Sequence, residues 1–231
     1  MKFKKTTFAL LIFLLDALLI SGQRLPNERL FNYALATPDS VETKYRNLTD
    51  HLAKAAGDEK ELVEVIFYWT AINIQYVDDP EYEMGDPDSI AVTTLRSKKS
   101  GCEGTARLFH ELCRAAGIKS EIIFGFAVGL SAGGHNTSNP NHGWNAVYVD
   151  DKWELVDATW GAGGSYSDGG SLVRVKEVDM RYFFADPQDF IIDHYPEEQK
   201  WQLLDEPVSK REFFGDFYDL KRMAWHTRWG D

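Results

Sequence analysis

Residues 99–125, KSGCEGTARLFHELCRAAGIKSEIIFG, read as a turn, a helix and a buried strand in direct succession. Ser100 and Gly101 carry turn chemistry, and Cys102 stands where the helix begins. Ala106, Phe109, Cys113 and Ala116 recur at steps of three and four residues, which is one face of an α-helix. Gly117 suits the helix stop, because glycine enters the left-handed conformation without steric cost. Ile122, Ile123, Phe124 and Phe126 follow as a short apolar run of strand type. A thiol at a helix N-terminus faces unpaired backbone N–H groups and the positive end of the helix dipole. Both favour the thiolate, which is the nucleophilic form of cysteine. Cys102 is therefore a candidate nucleophile, against the competing reading of a small buried hydrophobe.

Residues 141–161, NHGWNAVYVDDKWELVDATWG, supply the groups such a nucleophile needs. They read as a β-hairpin with strands at 144–149 and 152–157 and a turn at Asp150 and Asp151. A two-residue turn sets Trp144 opposite Asp157, Ala146 opposite Leu155 and Tyr148 opposite Trp153. Side chains alternate with period two, so His142 shares the face of Trp144. Asp157 is then the diagonal neighbour of His142 at a backbone distance of roughly 7–8 Å, which side chains bridge. A one-residue change of register would separate them onto opposite faces. The hairpin thus sets an aspartate against an imidazole, and the cysteine at the helix start is expected to pack over that face. Cysteine, histidine and aspartate are the nucleophile, base and orienting group of thiol acyl transfer.

The segments SGCEGTARLFHELCRAAGI, NHGWNAVYVDDKWELVDATWG and RYFFADPQDFIIDHYPEEQKWQLL together resemble the transglutaminase-like superfamily, most of all its kyphoscoliosis-peptidase-type branch. The resemblance runs from about residue 63 to residue 214. It implies an α+β, papain-like core in which a catalytic cysteine at a helix N-terminus packs on an antiparallel sheet. It also implies Cys102, His142 and Asp157 as the triad. The function expected on this basis is thiol-dependent acyl transfer on peptide or glutamine amides. Water as acceptor makes such an enzyme a peptidase or amidase, and an amine makes it a transglutaminase. The alternative from another class is a catalytically inactive binding or scaffold protein that keeps the fold.

Composition narrows the partners. The formal net charge is −11, which argues against general nucleic-acid binding and against a polybasic membrane patch. A peptide or protein substrate is the expected partner, and nothing in the sequence specifies an oligomeric state. The two cysteines, Cys102 and Cys113, lie eleven residues apart. On one helix that is about 16 Å of rise, too far for a disulfide. The Cys and His residues lack the close paired spacing of a structural zinc site, so no metal is expected. The Gly/Ser-rich residues 161–170 lack the lysine of a phosphate-binding loop, and no cofactor is expected.

Residues 1–22 read as a secretory signal peptide, with Lys2, Lys4 and Lys5 ahead of an apolar run and with Ser21 and Gly22 at its end. The mature chain is expected to start near Gln23, to be secreted or periplasmic, and to span no membrane. Residues 23–231 read as a single transglutaminase-like domain with a C-terminal aromatic extension. Within it, 41–56 and 59–74 read as helices, the second passing into a short strand near residue 77. Residues 23–40 carry little pattern. The acidic stretch 78–88 reads as a solvated loop, and Trp69 and Tyr76 read as core. Residues 129–141 read as a polar rim loop containing His135. His110 reads as structural, since it lies two turns beyond Cys102.

Overall fold

The computed structural model describes residues 25–129, 138–163, 165–168, 171–174 and 178–229. The signal-peptide reading, the start near Gln23 and His135 of the rim loop fall outside them.

Five helices precede the main sheet: α1 (Glu28–Leu35), α2 (Tyr45–Leu52), α3 (Glu59–Asn73), α4 (Pro87–Ser97) and α5 (Cys102–Ala115). Their starts follow the local chemistry of helix caps. Asn27, Asp58 and Asp86 each accept a backbone N–H of the first turn of α1, α3 and α4. Between α3 and α5, the short strands β1 (Gln75–Tyr76) and β2 (Lys99–Ser100) pair in parallel, with Tyr76 opposite Ser100. Five antiparallel strands then form the main sheet in the order β8-β5-β4-β3-β9. They are β3 (Ser120–Ala127), β4 (His142–Val149), β5 (Lys152–Val156), β8 (Phe183–Ala185) and β9 (His194–Pro196). A separate hairpin, β6 (Ser165–Asp168) with β7 (Ser171–Arg174), lies between β5 and β8 in sequence. The short helices α6 (Pro187–Phe190) and α7 (Lys210–Phe213) lead to the C-terminal helix α8 (Asp216–Trp229).

Period-two alternation gives the sheet two buried faces. Val147, Val149, Val156 and Phe183 join the core made by Leu30, Leu48, Ile66, Trp69, Leu108 and Phe109 of the helices. Ile123, Trp144, Ala146 and Leu155 point the other way, against Tyr182, Ala185 and Phe190. The hairpin has the register expected of a two-residue turn, with Ala146 opposite Leu155 and Tyr148 opposite Trp153. Asp150 and Asp151 take the positive φ values of 50° and 61° that such a turn demands.

Several elements differ from the sequence reading. Residues 41–56 do not form one helix. The 3₁₀ turn Asp39–Val41 ends at Glu42, and the chain is extended at Lys44 before α2 begins. The cause is tertiary: the Glu42 carboxylate accepts from Trp69 Nε1 at 2.7 Å and pairs with Lys98 at 3.1 Å. The weakly patterned stretch 23–40 contains α1, which buries Leu30 and Ala34 and sets Phe31 edge-on to Tyr68. Trp69 is core, but Tyr76 is 54% exposed, because β1 runs along the surface beside β2. The sequence leaves open whether the C-terminal aromatic extension packs; its residues Phe213, Tyr218 and Arg222 do. Phe213 is fully buried with Phe126 and Ile191, and the buried Arg222 of α8 donates to the carbonyls of Ile192 and Phe213.

Candidate active site

Cys102 is the first residue of α5, where the Gly101 N-cap offers no side chain to the free N–H groups. The missing cap comes from Glu83, whose Oε1 accepts the Gly104 N–H at 3.1 Å. The acidic stretch 78–88 is therefore not simply a solvated loop. Its 3₁₀ turn Pro80–Glu83 presents one carboxylate to the helix that carries the thiol.

The helix reaches His142 by a different route from the one expected. α5 packs on the face of β4 that carries Asn145 and Val147, and Asn145 Nδ2 donates to the Ala106 carbonyl at 3.0 Å. His142 is on the opposite face with Trp144, their rings stacked 6.0 Å apart. The cysteine does not lie over the His142 face; it sits at the end of β4, where Cys102 Sγ is 4.0 Å from the carbonyl of Asn141, the residue before His142. His142 is the first residue of β4, so its ring reaches both the sheet face and the helix start.

Asp157 follows the last residue of β5 and completes the line. Its Oδ2 lies 2.6 Å from His142 Nε2. Its Oδ1 accepts the N–H groups of Thr159 at 2.8 Å and Trp160 at 3.0 Å. With Nε2 turned to Asp157, Nδ1 is the ring atom left for Cys102, which is close enough to favour the charged ring. Burial works against a charged His142, but the Asp157 charge and the bonds to Asp157 and Cys102 outweigh it and raise its pKa to about 10. Burial likewise opposes an ionised Asp157, yet the His142 charge and hydrogen bonds from His142 and His194 hold the carboxyl far below its usual range. Cys113, eleven residues along the same helix, is fully buried, and burial pushes its thiol up.

A family model described as the transglutaminase-like superfamily matches residues 46–158, a span that contains all three of these residues. The chain carries a transglutaminase-like domain. Mouse kyphoscoliosis peptidase is 32% identical over 187 residues, covering 80% of this chain and 28% of that protein. Hillarin of Drosophila melanogaster is 30% identical over 201 residues, covering 78% and 23%. The chain thus spans about a quarter of the length of these curated relatives. Among solved structures, the periplasmic domain of TgpA from Pseudomonas aeruginosa superposes with a TM-score of 0.40 at 21% identity, covering 58% of this chain and 50% of that one.

The site holds more charge than the sequence motifs named. His194 of β9 turns Nε2 to Asp157 Oδ2 at 3.0 Å and Nδ1 to Asp193 Oδ1 at 2.5 Å. Tyr182 donates its hydroxyl to Asp193 Oδ2 at 3.1 Å. All three stand in the quoted segment RYFFADPQDFIIDHYPEEQKWQLL. The one available signal was a charged Asp-His pair directly after the apolar run Phe190–Ile191–Ile192, since ionisable residues inside such runs are seldom incidental. The imidazoles of His142 and His194 and the Asp157 carboxylate bring ligand-type atoms within 4.8 Å of one another. Both rings spend Nε2 on the same Asp157 oxygen, so this cluster satisfies itself. Tyr76, opposite Ser100 in the β1–β2 pair, stands on the surface near the thiol, and burial, then Cys102, Asp78 and Glu83, raise its hydroxyl. His110 accepts or donates at Nδ1 with Ser120 Oγ at 2.8 Å, away from Cys102 on the helix. No helix among the described residues is long and apolar enough to cross a membrane.

Proposed function

We propose that this chain is an exported thiol acyl-transfer enzyme acting on peptide or glutamine amides, with Cys102 as nucleophile, His142 as base and Asp157 as orienting group. The observation that carries it is the 2.6 Å bond between the His142 ring and the Asp157 carboxylate, with Cys102 at the helix start acting on the same ring. In this reading the thiol proton moves to His142 Nδ1, and Asp157 holds the Nε2–H and stabilises the imidazolium. The thiolate adds to the amide carbonyl carbon, and backbone N–H groups at the start of α5 receive the oxyanion. The imidazolium protonates the departing nitrogen, the C–N bond breaks, and a thioester remains on Cys102. Water or an amine then adds to the thioester, giving its proton to His142. Collapse of the second intermediate releases the acyl product and returns the proton to sulfur.

The test is iodoacetamide labelling resolved at Cys102 and Cys113 by peptide mass mapping. Cys102 is expected to label rapidly at pH 6–7 and at least tenfold more slowly in His142→Ala, while the buried Cys113 stays inert. Cys102 labelling that is slow at pH 7 and indifferent to His142 would exclude the triad and leave a binding or scaffold protein. Hydrolysis and amine incorporation are separated by supplying a primary amine to the acylated enzyme and weighing the product.

A further inference from the structure

His194 is fully buried and boxed by aromatic rings. Phe190 stacks on it at 4.1 Å, and Trp160 and Trp144 meet it edge-on at 4.6 Å and 5.2 Å. Both ring nitrogens face carboxylate oxygens, Nδ1 at Asp193 and Nε2 at Asp157. An ionised carboxylate only accepts, and a neutral imidazole has only one N–H to give. A neutral ring would therefore set a nitrogen lone pair against a carboxylate oxygen in a space closed to water, which is costly. Asp193 is committed as an acceptor on its other oxygen too, where Tyr182 donates.

We infer that His194 is held permanently as an imidazolium between Asp193 and Asp157, and that it acts as a positioning residue that limits how strongly Asp157 pulls the proton onto His142. The Asp193–His194 pair carries no net charge but turns its positive end toward the site. Asp157 Oδ2 is shared by the two imidazoles, whose ring centres are 5.3 Å apart. The second imidazole fixes the plane of the carboxylate and competes for its charge, so His142 gives up its proton more readily than it would to an unshared aspartate. The charged and titratable groups around His194 are Asp193, Asp157, His142 and the Tyr182 hydroxyl, with Arg222 of α8 donating to the carbonyl of the neighbouring Ile192. Burial opposes charge on His194, but Asp193 and the bonds to Asp157 and Asp193 raise it.

The role deepens the proposed triad, yet its test reads protons rather than turnover. Imidazole ¹⁵N resonances of the full chain are followed by NMR from pH 5 to pH 9 for His194, and on to pH 12 for the His142 midpoint. His194 is expected to show two protonated nitrogens throughout. A His194 with one bare nitrogen at pH 7, whether from a neutral ring or from a proton moved to Asp193, would overturn the inference. The paired variant Asp193→Asn/His194→Gln keeps the net charge and a donor toward Asp157 while removing the ion pair. It is expected to raise the His142 midpoint by about one pH unit. An unchanged or lowered His142 midpoint in a folded variant would leave His194 a merely structural residue and overturn its positioning role. If the paired variant does not fold, the wild-type spectra decide. Loss of Cys102 reactivity with His194 doubly protonated would fault the triad and leave this protonation intact.

Discussion

Asp157 accepts four hydrogen bonds, two from backbone N–H groups and two from imidazoles, and none of its surface is exposed. A buried carboxylate stays ionised only when so many donors replace water. Its pairing with His142 was legible because strand alternation and a two-residue turn are local rules. The sharing with His194 was not, because 37 residues separate the partners and only chain folding joins them. Glu83 shows the same divide. Nothing local marks it among the acids of residues 78–88, yet it alone caps the Gly104 N–H. Replacing it with alanine leaves that N–H unpaired at the start of the cysteine helix. Glu83→Ala is expected to cost about 1 kcal/mol and lower Tm by about 2–4 °C. Glu83→Gln, which keeps an acceptor oxygen, should recover most of that loss. Calorimetry on the two variants checks it, and equal losses would show that the bond at Gly104 is not what matters.

At the scale of elements, the site depends on how closely β3 passes β9. Gly125 pairs with His142 on one side and with Pro196 on the other. A Cβ there would lie 2.2 Å from the Tyr195 carbonyl oxygen and 2.5 Å from Trp144 Cη2. Neither a paired strand nor a buried indole yields easily, so the strain is shared between β9 and the Trp144 packing. Gly125→Ala is expected to destabilise the protein by about 1–3 kcal/mol. It should also loosen the His194 strand, seen as faster amide exchange across β9. A variant with wild-type urea midpoint and exchange would mean that the two strands are less constrained than this packing requires. The helix–turn–strand unit around Cys102 and the hairpin were both readable in sequence, since each is a short-range pattern. That they meet at the end of β4, with α5 on the far face of the sheet, was not. A helix packs on whichever face offers the apolar surface, and that face carries Val147 and Val149.

For the molecule as a whole, the buried pairs tie stability to pH. His142 is raised from 6.5 to about 10 in the fold. Its contribution is complete below about pH 6.5 and is lost as pH rises through 10. Asp157 is held below its ordinary range. Its contribution is complete above about pH 4 and is lost as pH falls toward its folded value. These are two ends of one interaction, so stability from the pair is greatest between about pH 4 and 6.5. His194, also raised, adds a decline of the same sign on the alkaline side. Urea midpoints at pH 5, 7 and 9 are expected to fall steadily, and the fall should shrink in Asp157→Asn. Equal wild-type midpoints at pH 5 and pH 9 would contradict the ion pairs.

By itself, the sequence determined the local units and their chemistry: a cysteine at a helix start, a two-residue hairpin, and a register that brings His142 to Asp157. These follow from periodicity and turn geometry, which act over a few residues. Tertiary structure decided the rest. It broke the 41–56 helix at Glu42, sent Glu83 to cap the cysteine helix, exposed Tyr76 beside the thiol and set the Asp193–His194 pair behind Asp157. Each of these joins residues far apart in the chain. The energy that selects them is the cost of leaving a buried charge or N–H unpaired, and that cost exists only once the core has closed around them.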